Sequence, residues 1–137
     1  MNIIQIILGS IFLLLGLIHF YWAAGGKWAI DTAIPTGVDG RKMLNPSTLA
    51  TVLVGLILVF LSIFYFQNYI EIRHLAILNR VLPWLIPTLF GIRALGDFKY
   101  VGFFKTIKNT PFAKMDTRYF SPLCVLISLL GFLLYFR

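Results

Sequence analysis

Seven side chains carry the chemistry this sequence can offer: His19, Trp22, Arg93, Asp97, Lys105, Asp116 and Arg118. Arg93 and Asp97 are four residues apart, a spacing that puts a guanidinium and a carboxylate on one helical face within reach of each other. An arginine at the end of an apolar run is costly unless it is paired or reaches a polar boundary, so the first expectation is an Arg93–Asp97 ion pair fixing a helix end. Arg93, Lys105 and Arg118 are suited to charge-assisted contacts with a phosphate or carboxylate. His19 and Asp97 are the groups suited to proton transfer. Asp116 and Arg118, two apart, are expected to brace a loop. The lone cysteine, Cys124, excludes an internal disulfide. With only His19 and His74 beside it there is no metal-ligand spacing, so neither a metal nor a cofactor is expected.

The elements that must position these groups are apolar. The chain has 137 residues, 59% hydrophobic and 12% charged, with a mean hydropathy of +0.87. A soluble domain of this size needs far more polar surface. The composition therefore indicates an all-α polytopic membrane protein: one domain, residues 1–137, folded as a four-transmembrane-helix bundle. The spans are expected at about 3–24, 46–66, 79–95 and 122–136. The first is too long, and its start too poor in basic residues, for a signal peptide; Gly25-Gly26 should stop it. Asn45-Pro46 and Ser121-Pro122 look like starts of the second and fourth spans. Thr51, Gly55 and Ser62 are small enough to let a neighbouring helix approach. The third span holds Pro83 and Pro87, each removing a donor from the carbonyl four residues back; with Pro83 in the first turn, Pro87 is the expected kink. In the third loop Tyr100, Phe103, Phe104 and Ile107 follow helical spacing. With Lys99, Lys105 and Lys108 they suggest a short interfacial helix over Phe98 to Lys108, ended by Pro111.

Charge sets the expected orientation. Lys27, Arg41, Lys42, Arg93, Lys99, Lys105, Lys108, Lys114 and Arg118 fall on the side of the first and third loops, against Arg73, Arg80 and Arg137 on the other. Positive loops remain in the cytoplasm, so both termini are expected on the non-cytoplasmic side of the cell membrane. A basic chain of this kind meets anionic lipid, not nucleic acid.

Three segments resemble one family: His19 to Gly26 (HFYWAAGG), Gly96 to Lys105 (GDFKYVGFFK), and Phe112 to Cys124 (FAKMDTRYFSPLC). In order and spacing they are similar to the bacterial membrane-protein family called domain of unknown function 3995. The resemblance implies a four-span architecture in a bacterial inner membrane and no particular activity.

All three segments fall on the expected cytoplasmic side. The leading expectation is binding of an anionic lipid, a lipophilic ligand or a membrane partner there, by the seven residues above. Possible partners are membrane lipids, another membrane protein or a second copy of the chain. The alternative is a membrane-embedded enzyme acting on a lipid-soluble substrate, with His19 and Asp97 as acid–base groups. Transport ranks last because charges sit at span ends and no internal repeat is evident.

Overall fold

The computed structural model describes residues 2–66 and 76–136; the second loop and its Glu71, Arg73 and His74 lie outside the described residues. Six helical elements follow in order: α1 (Ile3–Ala23), α2 (Ile30–Ala33), α3 (Thr48–Tyr65), α4 (Ala76–Leu95), α5 (Pro111–Met115) and α6 (Ser121–Tyr135). A π-helical turn, Asp116–Phe120, joins α5 to α6. Among the described residues three stretches are long and apolar enough to cross a membrane: Ile3–Ala23, Thr48–Tyr65 and Pro111–Tyr135.

The surface shows why these helices do not belong in water. Leu14, Leu53, Ile57, Leu129 and Leu133 are all exposed by half or more, a continuous apolar exterior that a soluble protein does not carry. The interior is the place for small and polar groups. Gly9, Gly16, Gly55, Ser62, Ser121 and Ser128 are buried along the helix contacts. Lipid tails are as apolar as leucine, so close backbone approach must hold such helices together. At Gly16 a Cβ would sit 2.9 Å from Val59 Cγ2 and 3.2 Å from the Gly55 carbonyl oxygen. Ser62 Oγ donates to the Gly9 carbonyl at 2.7 Å. The expectation that Gly55 and Ser62 face a neighbouring helix is met: that neighbour is α1.

The helices pair as α1 with α3 and α4 with α6, with α1 also touching α6. Gly91 against Ser128 and Gly131 against Pro87 are the close points of the second pair. A core of Leu8, Phe12, Leu58, Phe64, Tyr65, Leu82, Ile86 and Ile127 joins both pairs, with Phe12 stacked on Tyr65 at 5.7 Å. The starts of α1 and α4 lie with the ends of α3 and α6. The first and third loops share the opposite end, where α2 packs on α5.

Helix ends differ from expectation at several points. Gly25, at φ +91°, stops α1 as expected, with the Gly26 amide donating to the Tyr21 carbonyl. The cap of α3 is Ser47, not Asn45: its side chain accepts the Ala50 amide. The last helical run begins eleven residues before Pro122, at Pro111, although its α6 segment does start at Ser121 with Pro122 in the first turn. Thr110 accepts the Ala113 amide, and Pro111 starts α5 instead of ending a helix. Ser121-Pro122 therefore lies inside a continuous helical run. Pro122 cannot donate and its ring crowds the carbonyl four residues back; widening the preceding turn to a π turn relieves that crowding. The Ser121 amide closes this turn on the Asp116 carbonyl. In α4, which starts at Ala76, both Pro83 and Pro87 are interior.

Candidate functional site

The third loop is not an interfacial helix. Between α4 and α5 the chain forms an irregular loop of bends and turns, because its charged and glycine residues outweigh the helical spacing of its aromatics. Gly96 (φ +93°) and Gly102 (φ +86°) lie against each other. A Cβ on Gly102 would meet the Leu95 carbonyl oxygen at 2.4 Å and the Gly96 Cα at 2.5 Å, so side chains are excluded by both conformation and space. Asp97 organises the segment between them. Its Oδ1 accepts amides from Lys99 (2.9 Å), Tyr100 (2.7 Å) and Val101 (2.9 Å). This tight loop also places Phe98 at a left-handed φ of 61°. Slight burial pushes the Asp97 carboxyl up, but the amide bonds from Val101, Lys99 and Tyr100 outweigh it and hold the group below its ordinary 3.8.

Arg93 accordingly pairs with Asp116, not Asp97. Arg93 Nη2 donates to Asp116 Oδ1 at 2.8 Å. The carboxylate is fully buried, and its Oδ2 accepts the Gly102 amide (2.8 Å), Lys105 Nζ (2.9 Å) and Ser121 Oγ (3.2 Å). Lys105 is buried to 2% exposure and also donates to the Gly102 carbonyl and Thr117 Oγ1. All three donors of its ammonium are thus met. This cluster clamps the third loop onto the π turn and the end of α4. Two cations face one anion, so the cluster keeps one positive charge. Arg93 is the partly exposed member, its side chain 35% exposed, although its Nη1 is buried without a partner among the described residues. Asp116 itself lies in a helical turn, and from there it braces the third loop through the Gly102 amide and Lys105. Arg118 is outside the cluster, lying over the Tyr119 ring.

His19 and Trp22 sit elsewhere at the same end. They line a cleft of about 330 Å³ between α1, α3 and the first loop, with Ile34, Lys42 and Thr51. His19 Nδ1 lies 2.8 Å from the Leu15 carbonyl oxygen; a carbonyl can only accept, so Nδ1 is the donor in this bond. His19 meets Trp22 edge to face at 5.1 Å, and Trp22 Nε1 donates to the Trp28 carbonyl. Lys42 Nζ pairs with Asp31 at 2.7 Å. Asp97 is not among the residues lining this cleft. The seven expected residues thus divide into a cleft pair (His19, Trp22), a buried clamp (Arg93, Lys105, Asp116), a loop organiser (Asp97) and a surface cation (Arg118). Lys42 is a cleft residue that the sequence alone marks only as a charge; its place becomes visible once the first loop folds back over α1. No group of three or more potential metal ligands occurs among the described residues.

The pattern of a family described as "Protein of unknown function (DUF3995)" matches residues 12–131. The chain belongs to this family. The match spans the cleft, the Asp97 loop and the clamp. No curated protein and no solved structure matches the chain.

Proposed function

We propose that this DUF3995 protein is a four-span protein of the bacterial inner membrane that binds an anionic amphiphile in the His19–Trp22 cleft. In this reading α4 is the fourth span: its 20 residues reach about 30 Å. Both termini then face away from the cytoplasm, because the basic first and third loops stay inside. The observation that carries the proposal is the cleft itself. Its walls are mainly apolar, with a histidine, an indole and a lysine at the loop-covered end. An acyl chain suits the Trp22–Ile34–Val54 wall, and a phosphate or carboxylate head suits Lys42, whose ammonium gives one of its three donors to Asp31. The net positive charge left on the Arg93–Lys105–Asp116 cluster supports the same choice of sign.

The test is native mass spectrometry of the protein released from gentle detergent, with phosphatidylglycerol or phosphatidylethanolamine supplied. Retained phosphatidylglycerol, lost in Lys42→Ala and Trp22→Ala proteins that keep their melting temperature, is the expected result. Equal retention of both lipids, or retention unaffected by either substitution, overturns the proposal.

A further inference from the structure

A second cavity, also of about 330 Å³, lies at the opposite end of the bundle where all four long helices converge. Gln5 comes from α1, Tyr65 from α3, Asn79 and Pro83 from α4, and Gly131 and Tyr135 from α6. Tyr65 is only 3% exposed, and its buried hydroxyl has no hydrogen-bond partner among the described residues. A phenol buried in this way lacks both an acceptor for its proton and a donor for its lone pairs.

The same cavity has acceptors in excess. Pro83 has no amide proton to give to the Asn79 carbonyl, and Pro87 has none for the Pro83 carbonyl. Both residues whose carbonyls lose their normal donor line the cavity. The two prolines, four residues apart, therefore leave the Asn79 and Pro83 carbonyls without their usual helical donor, in residues that line the same cavity as the unmet phenol of Tyr65. Among the described residues no Asp, Glu, Lys, Arg or His lines the space, so a charged head would be left uncompensated at the edge of an apolar bundle.

We propose that this cavity binds the hydroxyl head of an uncharged lipid alcohol. A hydroxyl is both donor and acceptor: it takes the Tyr65 proton and gives its own to a carbonyl of α4. The volume is at the small end of ligand sites, enough for a head and the first part of a chain. The site is separate from the cleft at the loop end, so the two proposals stand or fall independently.

Thermal melting of the detergent-purified chain, titrated with dioctanoylglycerol, with farnesol, and with dioctanoyl phosphatidic acid, tests it. The expected result is stabilisation by one or both alcohols and none by the phosphatidic acid at this site. Tyr65→Phe keeps the ring stacked on Phe12 and should weaken alcohol binding about tenfold while leaving the unliganded melting temperature unchanged or raised. Pro83→Ala, which restores a donor to the Asn79 carbonyl, should weaken binding in the same direction. Lys42→Ala should leave it unchanged. The source of the ligand follows from which alcohol binds: diacylglycerol or isoprenoid alcohol. Unaltered binding in Tyr65→Phe, equal binding of the phosphatidic acid lost with that substitution, or no stabilisation by either alcohol overturns the proposal.

Discussion

Asp116 is the residue on which the loop-bearing end depends. Removing it strands a buried Lys105 ammonium, a situation that costs about 3–5 kcal/mol when one partner of a buried pair is lost. Asp116→Ala should therefore lower the melting temperature in detergent sharply, whereas Lys105→Met with Asp116→Leu should lose less than Asp116→Ala alone. A double variant as unstable as the single one contradicts the clamp. Asp97 acts differently, through backbone amides at an exposed site. Because its carboxyl is held below the ordinary 3.8, its contribution is complete above that pH and is lost as pH falls through the depressed value. Hydrogen exchange at the amides of Lys99, Tyr100 and Val101 should accelerate below that point. Asp97→Ala should show the same fast exchange at neutral pH, and pH-independent protection in the native protein contradicts the assignment. The sequence made these residues conspicuous but mispaired them. Helical spacing favoured Arg93–Asp97, whereas the left-handed turn at Gly96 ends α4 before Asp97 and turns its carboxylate to the loop.

Among the elements, the α1–α3 pair rests on the absence of side chains. Gly16 faces the stiff β-branched side chain of Val59 and, just behind it, backbone atoms of α3, which leave little room to yield. Gly16→Ile should destabilise by about 1–3 kcal/mol through overpacking, measured by thermal melting in detergent; a neutral result contradicts the close approach. The existence of these helices was legible because apolar runs of membrane-crossing length are favourable only where hydrocarbon replaces water around them. Their ends were legible where glycine supplied a positive φ, as at Gly25. They were misread at Pro111, which opens a helix instead of ending one; Ser121-Pro122 does begin α6, but the π turn before it extends the helical run back to Pro111. The aromatic periodicity of the third loop misled for a related reason. Spacing records which side chains can share a face, but Gly96, Asp97 and Gly102 commit the backbone to another path.

For the whole molecule, two ends of opposite character follow from one arrangement of helices. The end with the chain termini has a cavity whose lining among the described residues is phenol, amide, proline and apolar groups, with no charged side chain. The loop-bearing end has the basic residues, a ligand-sized cleft and a buried ion cluster with one positive charge to spare. This division was partly visible as a charge bias along the chain, but the cavities were not, because each is assembled from helices distant in sequence. The burial of Lys105 has a practical consequence. Lys27, Lys99, Lys108 and Lys114 are exposed, so an amine-reactive reagent or trypsin should reach them in the intact fold and spare residue 105. Modification there reports that the third loop has come away from the last helix, making one lysine an internal gauge of whether a preparation is still native.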